Sequence, residues 1–281
     1  MIKPWLVLFI IVTGLLLLAV QLNRQTGVSA VSAELETLPA TNSSGQRVPV
    51  IVELFTSEGC SSCPPADAVL AKLERTQPAP GAEIIALGEH VDYWNYIGWS
   101  DPFSSPQFSE RQGAYARAFN RDGVYTPQMV VDGETEFVGS NLSRAREAIA
   151  KAAAHQKATV QITRRAASDA GVAAFRVRVT DMPPLSRAET VEVMLAITES
   201  DLASNVARGE NAGRRLEHGS VMRLLALAAQ AAAHESQAIT AEPEVRLKPE
   251  WKRENLRAVA FVQAQTSRRV LGAAAVRLSG E

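Results

Sequence analysis

The pattern of apolar and polar positions divides the chain beyond residue 47 into two parts with different periodicities. In the first part, residues 48–56 and 83–91 are continuous apolar runs with the length of a buried strand. Between them, apolar positions recur at helical spacing from Ala66 to Leu73. A strand, a helix and a strand at this spacing form a right-handed parallel crossover. The first part is therefore predicted to begin with a βαβ unit.

A hairpin is predicted further along the first part. Residues 128–131 and 134–138 are short apolar runs, and they are separated by the Asp-Gly pair at 132–133. Asp-Gly supplies the positive φ angles that a two-residue turn requires. Helical spacing of apolar residues on either side of the hairpin predicts one helix over 109–120 and another that ends near residue 155.

Beyond Ala158 the pattern changes to short runs in which polar and apolar residues alternate, so each strand has one buried and one wet face. The predicted strands are residues 159–163, 173–180, 191–198, 256–265 and 270–278. The alanine-rich segment 221–234 predicts a helix inserted among them, with a buried strand and a loop as the alternative. The glycine-bearing segment 208–214 is interpreted as a tight turn that pairs its own Arg and Glu, with ligand binding as the alternative.

The N-terminal segment predicts export from the cytoplasm. Residues 5–20 are apolar apart from Thr13 and follow Lys3, which fits a signal-peptide core or a short membrane anchor. We predict a signal peptide or anchor over residues 1–24 and a polar linker over 25–47. The expected location is periplasmic or secreted, with anchoring to the inner membrane by the apolar run left open.

Charge excludes one class of partner. The 281 residues include 29 Lys and Arg against 30 Asp and Glu, which gives a net charge of −1. A nearly neutral chain lacks the positive field that nucleic-acid binding requires. No nucleic-acid partner is expected.

The two cysteines carry the clearest chemistry. Cys60 and Cys63 lie between the first strand and a helix that opens with Pro64 and Pro65. Free amides and the positive dipole end at such a helix start favour a thiolate, although Pro64 contributes no N–H. We predict a redox-active pair, in which the more exposed Cys60 attacks and Cys63 resolves the mixed disulfide. The alternatives are a structural disulfide and half of a zinc site, but structural zinc needs four ligands and the sequence has no second cysteine pair.

The segment 55–67, with the sequence FTSEGCSSCPPAD, resembles the signature of a bacterial family of thioredoxin-like secreted proteins that is catalogued as a domain of unknown function. The resemblance continues at residues 90–94, 98–99, 125–133 and 209–214. It implies a thioredoxin-like fold and leaves the substrate open. We accordingly predict an α/β fold, with a thioredoxin-like domain over 48–157 followed by an antiparallel β-rich, sandwich-like domain over 158–281.

The same resemblance implies further site residues. Thr126 and Pro127 match the position where thioredoxin folds place a cis-proline against the cysteine pair, so Thr126 becomes a substrate contact. The alternative is a trans proline that starts a strand. Glu53 lies on the strand where thioredoxins carry a buried acid that accepts a proton from the second thiol. Its distance to Cys60 is one residue longer than in thioredoxin, so a surface or capping role stays open.

Aromatic residues follow the second strand. His90 and Asp92 end that strand, and Tyr93 and Trp94 come directly after it. An aromatic cluster beside a reactive cysteine suggests a groove for an extended peptide, to which Tyr93 and Trp94 would contribute with Thr126. The alternative is a small hydrophobic core under the loop.

The leading functional prediction is an extracytoplasmic thiol-disulfide oxidoreductase that acts on protein thiols or disulfides. It would need no cofactor beyond its own disulfide and no metal. One alternative is a copper(I)-binding or delivery protein on a thioredoxin fold, with Cys60, Cys63 and His90 as ligands. Another is a non-catalytic envelope binding module in which the disulfide is structural.

Overall fold

The computed structural model describes residues 47–167, 169–233 and 238–279. Strands hold 42% and helices 19% of these residues, so the protein is mostly β. The three α-helices in the described ranges are α1 Pro64–Thr76, α2 Pro106–Ala118 and α3 Leu142–Ala153. None of them is long and apolar enough to cross a membrane. The predicted signal peptide or anchor over 1–24, including the apolar run 5–20, lies outside the described residues, as does the linker except for Arg47.

Fourteen strands are present in the described ranges. In chain order they are β1 Val48–Thr56, β2 Ala82–His90, β3 Gln128–Val131, β4 Thr135–Val138, β5 Thr159–Arg165, β6 Val172–Thr180, β7 Thr190–Glu199, β8 Leu202–Asn205, β9 Arg215–His218, β10 Val221–Ala232, β11 Ile239–Ala241, β12 Glu244–Arg246, β13 Leu256–Ala264 and β14 Val270–Arg277.

The first part of the chain forms the predicted local elements. β1 and β2 are parallel and α1 connects them, which confirms the βαβ unit. β3 pairs antiparallel with β1 and with β4. Alternate residues of β1 bury opposite faces: Leu54 packs towards α1 and α3, whereas Ile51 packs towards Phe108 of α2.

The second part of the chain continues the same sheet. Its eight strands have the order β14-β13-β7-β10-β2-β1-β3-β4. The junction is short: Val221 of β10 pairs with Gly88 of β2, and the Gly88 N–H donates to the Ser220 carbonyl at 2.8 Å. A second sheet of β5, β6, β11 and β12 packs against this half, with Phe175 on Leu195 and its neighbours. β8 and β9 form a separate two-stranded hairpin.

The predicted fold class, a thioredoxin-like α/β domain followed by a separate sandwich-like β domain, is wrong. Four strands from beyond residue 158 extend the sheet that begins with β1, and the protein is mostly β. The cause is β10, whose alanine-rich sequence predicts a helix but which forms a strand between β2 and β7. Pairing with the neighbouring strands overrides the helix propensity of the alanine-rich sequence. The domain division into 48–157 and 158–281 stays a prediction.

The sheet curls until its last strand returns to the β3–β4 hairpin. The Val270 N–H at the start of β14 donates to the Asp132 carbonyl at 2.8 Å. The buried Asp132 carboxylate accepts from the Ile51 N–H at 2.8 Å and from Lys157 Nζ at 2.6 Å. The predicted Asp-Gly turn is confirmed, with φ of 48° at Asp132 and 65° at Gly133. This turn therefore connects β1, β14 and the segment before β5.

Gly133→Ala should lower the free energy of unfolding by about 2 kcal/mol or more, because the methyl group adds both overlap and φ strain. An ideal Cβ at Gly133 would lie 1.9 Å from the Arg268 carbonyl oxygen. Urea unfolding measures the effect. Gly123→Ala is the matched control, since a Cβ there meets nothing within 4 Å. Equal losses in the two variants would contradict the close approach.

Candidate functional site

The cysteine pair lies where the sequence predicts it. Cys60 and Cys63 form a disulfide between β1 and α1, with their Cα atoms 5.4 Å apart. Cys63 is the N-cap of α1, and its carbonyl accepts from the N–H groups of Ala66 at 2.8 Å and Asp67 at 3.1 Å. Residues 57–63, which we call the cysteine loop, thus present the disulfide at the positive end of a helix.

The expected exposure of Cys60 is wrong. Cys60 is 1% exposed and Cys63 is fully buried, whereas Ser61 and Ser62 between them are exposed. The Cys60 sulfur lies 3.3 Å from Ser62 Oγ. The disulfide is therefore separated from the surface by a thin layer rather than by a deep core.

Part of that layer comes from residues 206–214, which connect β8 to β9 and which we call the cover loop. Asn211, fully buried, donates through Nδ2 to the carbonyl oxygens of Glu58 and Cys60, both at 2.9 Å. The Ser61 N–H donates to Glu210 Oε2 at 2.8 Å. Three main-chain groups of the cysteine loop are thus held by two consecutive residues from the second half of the chain.

The interpretation of this segment as a tight turn is right in one respect. The Gly213 N–H donates to the Val206 carbonyl at 2.8 Å, so the loop closes on itself. The predicted internal Arg–Glu pairing is wrong, because Glu210 accepts from Ser61 and Arg214 Nη1 donates to Asn211 Oδ1 at 2.7 Å. Hydrogen bonds from the side chain and the main chain of Ser61 lower the pKa of the Glu210 carboxyl.

A buried network of acids and histidines lies behind the cysteine loop. The Glu58 carboxylate is fully buried, with Oε1 2.9 Å from His218 Nε2 and Oε2 accepting from Trp99 Nε1 at 2.8 Å. The Glu58 N–H donates to Asp101 Oδ2 at 2.8 Å, and the same oxygen lies 2.7 Å from His90 Nδ1. The His90 and His218 rings pack edge to face, with their centroids 4.9 Å apart.

Charge pairing determines the protonation of this network. Burial lowers the pKa of the His90 imidazole, but the Asp101, Asp67 and Glu58 carboxylates together raise it, and the net shift is upward. Burial raises the pKa of Asp101, but His90 and the N–H groups of Glu58 and Phe103 together lower it, so the net shift is downward. Burial also raises the pKa of Asp67 on α1, against the opposing effect of His90 and His218. His90 and Asp101 are therefore favoured as an ion pair.

Two of the predicted substrate-binding residues meet beside the cysteine loop. Trp94 Nε1 donates to Thr126 Oγ1 at 2.7 Å. Trp94 also packs on Gly59, where an added Cβ would lie 3.2 Å from the Trp94 Cβ. The Thr126–Pro127 peptide bond is cis, as predicted. Tyr93 donates to Gln112 Oε1 at 3.0 Å.

Tyr93 and Trp94 also belong to a small hydrophobic core. Tyr93 and Trp94 are half-buried against a cluster that includes Phe55 and Tyr115. This packing favours the predicted alternative of a small hydrophobic core under the loop. Tyr96, in the short 3₁₀ turn Asn95–Ile97, is 83% exposed and contributes the large free aromatic face near the site.

Glu53 lies in a different network from the histidines. It is fully buried on β1, where Arg111 Nε donates to it at 2.6 Å and the Tyr115 hydroxyl also donates to it. Burial raises the pKa of Glu53, but Arg111 and the hydrogen bonds from Glu89 and Tyr115 together lower it, so the net shift is downward. Neighbouring Leu54 packs towards α1, so Glu53 faces the opposite side of the strand. Its role as proton acceptor stays a prediction.

The family model described as "Protein of unknown function (DUF1223)" matches residues 51–263. The chain belongs to this family.

Two solved structures are similar over most of the chain. Protein AGR_C_4864 from Agrobacterium tumefaciens is 22% identical, with 85% of this chain and 98% of that chain covered at a TM-score of 0.63. HBP35 of Porphyromonas gingivalis is 13% identical, with 83% and 76% covered at a TM-score of 0.59. At these identities the likeness concerns the fold alone. No curated protein matches the sequence.

Sequence reasoning missed several residues of this DUF1223 site. Glu58 and Asp67 stand inside the recognised segment 55–67, and their places beside the cysteines were the available signal. Asn211 stands inside the recognised segment 209–214 but was assigned no role. Asp101 and His218 gave no local signal, because their partners are 40 or more residues away or lie in another element.

The predicted copper ligands do not converge. Over residues 47–167, 169–233 and 238–279, no group of three or more His, Cys, Asp or Glu side chains is placed to hold a metal ion. His90 instead directs Nδ1 at Asp101. The three-ligand arrangement with Cys60 and Cys63 therefore has no support in the geometry.

Asp101→Asn should lower the pKa of His90, because burial remains while the raising carboxylate is removed. Titration of the imidazole signals by NMR measures the change. Asp92→Asn is the control, since Asp92 accepts from Ser109 Oγ and is outside the network. An unchanged His90 pKa in Asp101→Asn would contradict the pairing.

The same pair sets a pH window for stability. A raised His90 pKa stabilises the fold below the ordinary value of 6.5, and this contribution is lost as the pH rises through the folded pKa. A lowered Asp101 pKa stabilises above 3.8, and this contribution is lost as the pH falls through the folded pKa. The difference in unfolding free energy between wild type and Asp101→Asn should thus be largest between these values.

Proposed function

We propose that the protein is an extracytoplasmic thiol-disulfide oxidoreductase that acts on cysteines of other proteins through Cys60 and Cys63. The supporting observation is the disulfide between these residues at the N-terminal end of α1. Helix amides and the helix dipole favour the thiolate that forms when such a bond opens. Pro64 weakens this effect by one missing donor, and the N–H groups of Ala66 and Asp67 already donate to the Cys63 carbonyl.

Oxidation of a substrate dithiol would proceed in two exchanges. A substrate thiolate attacks Cys60 Sγ, the Cys60–Cys63 bond breaks, and Cys63 leaves as a thiolate. A second substrate thiolate then attacks the substrate sulfur of the mixed disulfide, and Cys60 leaves. The substrate gains a disulfide, the protein gains two thiols, and the two protons released by the substrate thiols balance those that the cysteines take up. Reduction of a substrate is the reverse sequence.

Two carboxyl groups, the buried Glu53 and the partly buried Asp67, are candidates for the proton acceptor at Cys63. Glu53 has both oxygens engaged by Arg111 and Tyr115, which holds it as a charged structural group. Asp67 lies one helical turn after Cys63, and burial raises its pKa. A raised pKa suits a group that exchanges protons near neutral pH, so we favour Asp67 and keep Glu53 as the alternative.

Substrate contact is proposed for Thr126, Pro127, Tyr93 and Trp94. The hydrogen bond between Trp94 and Thr126 and the packing of Trp94 on Gly59 support this set. The proposed location is periplasmic or secreted, with the apolar run 5–20 as signal or anchor. An oxidising compartment lets the disulfide form and persist.

A second candidate function follows from burial. A disulfide whose sulfurs are closed to solvent is typical of a structural bond, so a non-catalytic envelope module remains in competition. Reducibility separates the two functions, since structural disulfides in secreted proteins have potentials below about −300 mV.

Equilibration of the oxidised protein with a glutathione series should give a potential well above about −300 mV. In an assay with a cysteine-containing unstructured polypeptide, Cys60→Ser and Cys63→Ser should each lose turnover by roughly a hundredfold or more, because both exchanges need both sulfurs. Given the polypeptide in its disulfide form, Cys63→Ser should accumulate a mixed disulfide on Cys60, detected by mass spectrometry, because the Cys60 thiolate attacks the substrate disulfide, one substrate thiolate leaves, and no Cys63 is present to release the product. A potential below that limit together with no exchange would reject the oxidoreductase in favour of the structural disulfide.

A further inference from the structure

The cover loop makes main-chain contacts with the cysteine loop that a reacting partner must replace. Asn211 holds the Glu58 and Cys60 carbonyl oxygens, and Glu210 holds the Ser61 N–H. Asn211 is fully buried, whereas the Glu210 side chain is exposed. The contact between the two loops is therefore buried at Asn211 and open to solvent at Glu210.

The Ile97 side chain packs against both the cover loop and the cysteine loop. Ile97 Cδ1 would lie 3.2 Å from an added Cβ at Gly59 and 2.9 Å from one at Gly209. Both distances are shorter than ordinary contact, so the absence of a side chain at Gly59 and Gly209 lets both loops pack closely on Ile97. Trp99 packs on Gly209 from the same turn, with its Cβ 3.5 Å from the added Cβ.

The cysteine-loop groups that hydrogen-bond to the cover loop are main-chain carbonyl and N–H groups. They comprise the carbonyl acceptors of Glu58 and Cys60 and the N–H donor of Ser61, all within four residues of the chain. An extended polypeptide carries donors and acceptors at matching intervals and can replace them. Dithiothreitol carries two hydroxyl groups but no main chain, so it cannot match the spacing of all three groups, and each buried polar group left unsatisfied costs about 1–3 kcal/mol.

We propose that the cover loop is the specificity-determining element of the redox site, and that it excludes small thiols while yielding to an extended polypeptide whose main chain replaces the hydrogen bonds of Asn211 and Glu210. This inference rests on the proposed function, because selection among thiols matters only where exchange occurs. The chemical step is unchanged: the incoming thiolate bonds to Cys60 Sγ and Cys63 leaves.

The test compares two reductants on the oxidised full chain: dithiothreitol, and a reduced unstructured peptide with one cysteine. Rates are followed by alkylation of the released thiols. Glu210→Gln should speed reduction by dithiothreitol about threefold, because it weakens one hydrogen bond. Asn211→Ala should speed it about tenfold, because it removes two buried hydrogen bonds. The peptide rate should change less, so the ratio of peptide rate to dithiothreitol rate falls in both variants.

Glu217→Gln is the matched control. Glu217 lies on β9 of the same hairpin, with its side chain 80% exposed and its carboxylate 3.9 Å from Arg215 Nε, and it should leave both rates unchanged. If Asn211→Ala does not fold, Glu210→Gln still decides the question, because Glu210 is a surface residue. Thermal unfolding of each variant establishes that any faster reduction is local.

The outcomes separate the two proposals. Wild-type dithiothreitol rates in both variants would overturn the cover loop as a barrier, whatever the peptide does. Faster dithiothreitol reduction with an equal gain for the peptide would overturn selectivity. If the wild-type protein never exchanges with the peptide while the dithiothreitol rates rise in the variants, the oxidoreductase fails and the cover loop stands as the barrier over the disulfide.

Discussion

The buried carboxylate of Glu58 is the constraint on which the site depends. A charge withdrawn from water must be paired and hydrogen-bonded, or it destabilises the fold by several kcal/mol. Trp99 supplies one partner from the first half of the chain and His218 supplies the other from the second half. Glu58 stands two residues before Cys60, so the cysteine loop reaches its observed conformation only when both halves are in place.

The single eight-stranded sheet explains how distant residues meet there. β10 docks on the free edge of β2 through Val221 and Gly88, close to the end of β2 that carries His90. The β8–β9 hairpin immediately precedes β10 in the chain, so this docking brings His218 and the cover loop to the end of the sheet where the cysteines lie. A β-rich second half that formed an independent domain would leave Glu58 without His218 and Cys60 without Asn211.

Local pattern was sufficient for the elements whose cause is local. The turn at 132–133, the βαβ crossover and the alternating strand 172–180 follow from φ preferences and periodicity. The local pattern gave the wrong element for β10, because alanine favours a helix in isolation. Pairing with the neighbouring strands β2 and β7 makes this segment a strand. The local pattern also failed for the burial of Cys60 for the same kind of reason, since Asn211 lies 151 positions away in the chain. The pairing of Cys60 with Cys63 could be predicted from the sequence, and the burial of the two sulfurs could not.

The kind of contact that covers the Cys60–Cys63 disulfide determines whether a buried disulfide can still react with a partner. A structural disulfide within an apolar core is protected because no solvent or partner can compensate for opening it. Here the contacts with the cover loop are hydrogen bonds to main-chain atoms, each with a net contribution of only about 1 kcal/mol, and another polypeptide chain can replace them. Ser61 and Ser62 already reach the surface between the two buried sulfurs. Opening this layer therefore costs far less than unfolding the core, and a buried disulfide of this kind can still react.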